Sequence, residues 1–422
     1  MIQIIPLVRT FVNSDFSVSE RNWREELSRM SIPISVKNDV LLTKTLHSLI
    51  NDGRVSCELG EELHTNASLP GLTALAMMIK KSRFGDSIFF NENLHVNTTN
   101  VCTLACRFCA FRKGPRHREA YSLTPEEFVS RIEPFEGKID EVHAVGGLHP
   151  DWNIDHYSEI YRITKQRFPG ISIKSLTAVE VKHIASKSGL GVLETLTILR
   201  DSGLDSLPGG GAEILVDTIR DRICMGKEKS SEYLEIHGIA HELGIPTNCT
   251  MLFGTIETIQ DRITHLNKLR EQQDSSGGFQ CFVPYPFLKD NTRLPEARLA
   301  SGEEVIRIIS LSRIMLDNIP HIKAYRMNIG DHLSTIAINS GADDIDGTVG
   351  HEEIMHVAGS TTNLNYDSYK LGNLIDSAGQ NPVKRDSTYT RFEPLEIKPK
   401  SCLLYTSPSP RDISGSRMPS SA

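Results

Sequence analysis

The sequence predicts an α/β protein built on a parallel βα barrel, closed or partly open, flanked by an N-terminal helical segment and a C-terminal appendage. Three observations carry that prediction. Short runs rich in Val, Ile, Thr and Phe alternate with helix-period stretches between about residues 92 and 326. The strand-plus-helix unit recurs roughly every 30 to 45 residues, as in barrels of βα units. Motifs unlike core sequence fall just after the strands, where βα folds collect their chemistry. A doubly wound sheet is the structural alternative.

Taken in order, residues 1–90 read as mainly helical, with a polar connector over 51–70. Seven strands are expected at 94–99, 141–146, 171–176, 204–208, 246–252, 279–284 and 321–326. Between the first two, Thr124-Pro125-Glu126-Glu127 supplies an N-cap, a proline at the first helical position and a capping-box glutamate, followed by apolar Phe128, Ile132 and Phe135. Amphipathic stretches over 154–167, 190–202, 229–243, 257–272 and 302–318 complete the units. The barrel core is expected over 91–327 and an appendage packing on it over 328–400. Residues 401–422 turn abruptly to Ser, Pro and Arg without period and read as a non-native, disordered tail.

The 422 residues carry a formal net charge of −7, which argues against a general nucleic-acid or anionic-membrane binder. Eight cysteines, scattered apart from one trio, read as reduced thiols. The opening MIQIIPLVRTF is too short an apolar run for a signal peptide, and no stretch reaches the roughly 18 apolar residues of a membrane span. A soluble, cytoplasmic protein is expected.

Cys102, Cys106 and Cys109 form a CxxxCxxC loop after the first strand. A tetrahedral zinc site wants a fourth Cys or His, and a ferredoxin-type cluster a fourth Cys; Cys224, Cys249 and Cys281 instead read as small buried or half-buried residues. Three ligands on a four-iron cube leave one iron open, and an open position makes a site catalytic. Gly146-Gly147-Leu148-His149-Pro150 follows the second strand, Thr177 to Glu180 the third, and Pro208-Gly209-Gly210-Gly211-Ala212-Glu213 the fourth. Three consecutive glycines weaken a chain unless backbone must pass close to something. Glu180 and Glu213 could bind ribose or ammonium groups or equally cap a helix. Asp343, Asp344 and Asp346 read as a turn with solvated carboxylates.

The trio, with aromatic Phe108 before its last cysteine, resembles the radical S-adenosylmethionine enzymes. The resemblance implies a [4Fe–4S] cluster whose open iron chelates the methionine end of S-adenosylmethionine and whose electron releases a 5′-deoxyadenosyl radical. It also implies a reducing partner such as flavodoxin or ferredoxin, and a cofactor pocket formed by Phe108, Gly146, Gly147, Leu148, Thr177, Glu180, Gly209, Gly210 and Gly211.

Longer strings, SLPGGGAEIL, AHELGIPTNCTMLFGTIET, LDNIPHIKAYR and GADDIDGTVGHEEIMHVAG among them, resemble the aminofutalosine synthase family of the futalosine route to menaquinone. That resemblance implies addition of the radical to the enol ether of 3-[(1-carboxyvinyl)oxy]benzoate, with Glu213, Lys174 and His149 in the chemistry and Lys323, Arg326 and Thr255 at the substrate. Two sister families are similar: the dehypoxanthine futalosine cyclase and the 4-hydroxyphenyl transferase of deazaflavin synthesis. Thr255 stands where the family carries His, and Arg326 where it carries Trp. An iron–sulfur electron carrier or a zinc-stabilised binding protein is the reading from another class.

Overall fold

The structure, a computed structural model, describes residues 23–364 and 366–397; the expected tail and the first 22 residues lie outside them. Among the described residues ten strands are present: β1 (Ser87–Phe90), β2 (Asn93–His95), β3 (Glu141–Ala144), β4 (Ser172–Ser175), β5 (Thr247–Phe253), β6 (Phe279–Pro286), β7 (His321–Ala324), β8 (Asp344–Ile345), β9 (Asn381–Arg385) and β10 (Phe392–Pro394). β2, β3 and β4 pair in parallel, as do β5, β6, β7 and β8. The expected strand at 204–208 shrinks to two bridges, Ser206 to Lys174 and Leu207 to Thr247, which join the two sets. Pro208 offers no N–H and Gly209 turns to φ 80°, so the ladder stops there.

The ring closes through Asn93. Its N–H donates to Thr348 Oγ1 at 3.1 Å, its carbonyl accepts from Gly350 N at 3.1 Å, and its Oδ1 accepts from Val349 N at 3.0 Å. A parallel barrel therefore forms, with helices between successive strands. The helix Pro125–Ile132 carries the expected reciprocal cap between Thr124 and Glu127 and buries Phe128, Val129 and Ile132. Each such side chain removed from water contributes about 1.5–3 kcal/mol. Two helices of the barrel were not expected, Ala178–Ser188, which begins in the loop after β4, and Asp217–Ile223.

The sheet runs across the expected segment boundaries. β1 pairs with β8 and β9, so strands from before residue 91 and after residue 328 lie side by side. The polar connector over 51–70 holds a helix, Cys57–Asn66, because Ser56 Oγ accepts from Leu59 N and Leu63 is fully buried. Among the described residues no helix is long and apolar enough to cross a membrane.

Candidate active site

The cysteine loop leaves β2 and is held by backbone and arginine side-chain hydrogen bonds. Lys113 N donates to Asn100 O at 2.7 Å, Thr103 N to Leu148 O at 3.0 Å and Arg107 N to Ile223 O at 2.7 Å. Arg293 Nη2 donates to Ala105 O at 2.8 Å and Arg112 Nε to Cys102 O at 3.3 Å. Cys102, Cys106 and Cys109 are all free of disulfides. Burial pushes the Cys106 thiol up to about 12 against the pull of Lys227, so loading with metal releases protons. Among the described residues no three His, Cys, Asp or Glu side chains gather on a single ion. One zinc would draw thiolates to within about 4 Å of each other. Three free thiols on one loop, with Cys109 opening into a cavity, fit a larger cluster with an open corner.

The glycine turn after β3 packs against that loop. A Cβ on Gly146 would lie 2.4 Å from Thr98 Oγ1, and one on Gly147 2.2 Å from Val101 O and 2.9 Å from Cys102 Cβ. Gly147 N donates to Thr99 O at 2.8 Å. The close approach that demands glycine is therefore to the cysteine loop itself. Gly146 N donates to Glu180 Oε1 at 2.9 Å, and Thr177 N and Oγ1 donate to Glu180 Oε2 at 2.8 and 2.6 Å. Glu180 thus both caps the helix Ala178–Ser188 and ties it to the glycine turn. Burial pushes its carboxyl up to about 7 although all three donors favour its charged form.

The triple glycine passes over β5. A Cβ on Gly209 would meet Asn248 O at 2.1 Å, one on Gly210 would meet Thr177 Cγ2 at 2.9 Å, and Gly211 adopts φ 99°. Glu213 holds φ 47°, a left-handed backbone that costs a non-glycine residue about 1 kcal/mol or more and persists where surroundings over-determine it. Its carboxylate is paired with Lys227, which also lies over the Phe108 ring at 5.7 Å. Burial would lower the Lys227 ammonium, but Glu213, Glu228 and the thiols of Cys106 and Cys224 outweigh it and hold its pKa well above the usual value.

A cavity of about 270 Å³ runs inward from this rim. Its lining includes Phe108, Cys109, Thr177, Pro208, Gly210 and Glu213 together with Glu141, Lys174 and Lys323. Lys174 Nζ lies 2.9 Å from Glu141 and Lys323 Nζ 3.0 Å from Asp344, which Arg385 Nε also reaches at 2.6 Å. That cluster sets three cations against two carboxylates. His95 and His143 stack beside it at 4.5 Å between ring centroids. Burial lowers them to about 3 and about 4, so both are neutral at pH 7. Leu252, Val283, Phe287, Ile354 and Met355 supply apolar wall.

The cavity lining includes Lys174, Lys323, Thr177, Gly210, Glu213, Phe108 and Cys109 of the residues singled out from sequence. Gly146, Gly147, Leu148, Glu180, Gly209 and Gly211 are not among the lining residues but belong to the turns described above, and His149, Thr255 and Arg326 lie elsewhere. The His149 ring stacks on Trp152 at 4.4 Å and accepts the Asp151 N–H at 3.2 Å. Thr255 is buried with its hydroxyl donating to Glu257 at 2.5 Å. Arg326 is fully buried where the chain turns from β7 into a helix, donating to Asp331 and Asn363 O, each at 3.1 Å, over the Tyr366 ring. Its neighbour Tyr325 lines the cavity instead. The solvated turn at 343–346 is also corrected. Asp343 is buried with Arg313 and His321, Asp344 with Lys323 and Arg385, and Asp346 with the Met327 N–H at 2.8 Å.

Sequence reasoning missed Lys227, His95, Asn97, His143, Asn248, Tyr285 and Tyr325. The period-two alternation of Leu94-His95-Val96-Asn97 was the available signal, since it places polar residues on the barrel's inner face. Lys227 carries no local signal, because its partners come from other segments.

Residues 96–269 match the Radical SAM superfamily and residues 276–397 the CofH/MqnC C-terminal region. The chain is 36% identical over 356 residues to the aminodeoxyfutalosine synthase of Thermus thermophilus, covering 83% of this chain and 96% of that one. It is 34% identical over 342 residues to the cyclic dehypoxanthine futalosine synthase of Streptomyces coelicolor, covering 80% and 85%. The crystal structure of methylornithine synthase shares the fold, with TM-score 0.64 at 18% identity over 79% of this chain and 95% of that one.

Proposed function

We propose that this chain, which belongs to the radical SAM superfamily, is a transferase of the aminodeoxyfutalosine synthase kind. It joins the adenosyl group of S-adenosylmethionine to the enol ether of 3-[(1-carboxyvinyl)oxy]benzoate in menaquinone synthesis. The observation that carries this reading is one cavity lined both by Cys109 and by the buried lysines Lys174 and Lys323. An adenosyl donor fits beside Cys109, and a substrate with two carboxylates fits beside the lysines.

When bound at Cys102, Cys106 and Cys109, the [4Fe–4S] cluster supplies the electron that cleaves the sulfonium. The chain's own residues do the rest. The turn Gly146–Leu148, set by Glu180, offers backbone to the amino-acid end of the cosubstrate. Thr177, Pro208 and Gly210 flank the adenosyl group, and Glu213, anchored by Lys227, faces its polar edge. Lys174 and Lys323, with Arg385 behind them, hold substrate carboxylate, while Leu252, Val283, Ile354 and Met355 keep water from the reacting carbons. His149, Arg326 and Thr255 act on this site only through the packing of neighbouring segments. The enzyme works in the cytoplasm with a reducing partner of the flavodoxin or ferredoxin kind.

The test is incubation of reduced, reconstituted protein with S-adenosylmethionine and the carboxyvinyloxybenzoate under anaerobic conditions. A product mass containing the adenosyl group is expected. Free 5′-deoxyadenosine beside untouched substrate would overturn the reading.

A further inference from the structure

We infer that the stacked rings of His95 and His143 are a second anion-recognition element of the cavity, holding the substrate carboxylate that the lysines do not. The inference rests on the reading of the cavity as the site of a dicarboxylate and adds the residues that select for its second charge. His95 and His143 are register partners on β2 and β3, and His143 in turn lies opposite Lys174 on β4. Residues paired in this way point to the same face of a sheet, about 4.8 Å apart from strand to strand. One level of the barrel wall therefore presents two imidazoles and an ammonium side by side, and all three line the cavity. The stacked rings lie 30° from parallel, and neither makes a hydrogen bond to protein among the described residues. His64, His156, His237 and His265 also carry an unbonded ring nitrogen, but theirs is sealed in packed protein, whereas the nitrogens of His95 and His143 are not. Each of the two rings is uncharged at pH 7, so each offers one N–H, from either nitrogen by choice of tautomer.

The charges nearby leave those donors a task. Lys174, Lys323 and Arg385 face only two carboxylates, Glu141 and Asp344, which leaves a surplus of one positive charge. A dicarboxylate brings two negative charges. The lysine cluster neutralises one of them, and a second buried anion is costly unless donors meet it. Two amides of the same wall are poorly suited to that. Asn97 Nδ2 donates to Val145 O at 2.9 Å and Asn328 Nδ2 to Pro286 O at 3.0 Å, and the oxygens of both are buried without a partner, which repels an anion. The two imidazoles, unbonded and level with Lys174, are free to donate.

The test is titration calorimetry on reconstituted protein with an oxidised cluster and saturating S-adenosylmethionine, where no electron is available for turnover. The ligands are the carboxyvinyloxybenzoate and its two monoamides, one blocked at the ring carboxylate and one at the enol-ether carboxylate. Wild type is compared with His95→Phe and His143→Phe, which keep an aromatic ring and remove the N–H. Each variant should weaken the dicarboxylate and one monoamide about 10-fold or more, the loss of a hydrogen bond to a charged group. The other monoamide, blocked at the carboxylate that the rings hold, should change by less than about 2-fold. His143→Gln, which keeps an N–H, should recover part of the loss. Should a phenylalanine variant load iron poorly, His95→Leu or His143→Leu serves, with the same pattern expected. Equal weakening of all three ligands would mean damaged packing, and no weakening of any would mean idle rings; either result overturns the proposal. So does failure of the dicarboxylate to bind wild type. The proposed function is judged separately, from product formed by wild type after reduction: binding in the expected pattern without adenosylated product would sink the function and leave the histidine pair standing.

Discussion

Glu180 accepts the Gly146 N–H at 2.9 Å, and this bond fastens the start of the helix Ala178–Ser188 to the turn that packs on the cysteine loop. One carboxylate therefore joins two strand-end segments, since the same side chain takes both Thr177 donors.

Glu180→Gln places an amide NH₂ against one set of N–H and O–H donors, and the buried mismatch should cost about 1–3 kcal/mol. Burial raises the Glu180 pKa to about 7, so the folded state holds a proton that the unfolded state releases near pH 4.5. Its contribution is full below that value and drains as pH rises towards 7. The stability difference between wild type and Glu180→Gln should therefore shrink from pH 5 to pH 7 and level off above. Urea unfolding at several pH values measures it; a pH-independent difference would contradict the assignment.

Gly147→Ala drives a Cβ to 2.2 Å from Val101 O. Overpacking of this kind costs about 1–3 kcal/mol, and here it displaces the backbone beside Cys102. Reconstituted iron and sulfide should fall with the thermal midpoint. Gly170→Ala, where nothing lies within 4 Å of the added methyl, should leave iron loading unchanged.

Cys106→Ala should abolish cluster assembly, measured as iron and sulfide per chain, while circular dichroism stays as in wild type. Cys224, buried next to the same region, is the contrast. Cys224→Ala removes only core packing, at a cost on the order of 1 kcal/mol, and should keep full iron content. Equal iron loss in both variants would mean that Cys224 is a ligand.

Lys227 is a buried cation that acts on both Cys106 and Cys109. A positive charge stabilises the more negative, reduced cluster. Lys227→Met should therefore lower the reduction potential, on the order of 60 mV for a tenfold change in a one-electron equilibrium. It should also destabilise the fold by about 3–5 kcal/mol by stranding Glu213. An unchanged potential in a spectroscopic redox titration would separate Lys227 from the cluster.

Much of the architecture was legible before any coordinates because it is written in local periodicity. All seven expected strands correspond to strands or bridges, and the capped helix at Thr124 forms as its four residues dictate. β1, β8, β9 and β10 were not legible. They are short, and their pairing joins residues 87–90 to 344 and 381–384, a relation no sequence window contains.

The sequence by itself determined the βα order, the thiol trio and the glycines of its supporting turn, because spacing and backbone permissiveness are local properties. Tertiary structure decided which charges face the cavity. Lys174 and Lys323 reach it, whereas Arg326, two residues beyond the end of β7, is folded under Tyr366. Lys227 neighbours Glu213 and Cys106 because the fold brings the segment after the triple glycine beside the cysteine loop. A buried charge must find its counter-charge wherever the fold brings one, and that partner is set by three-dimensional proximity.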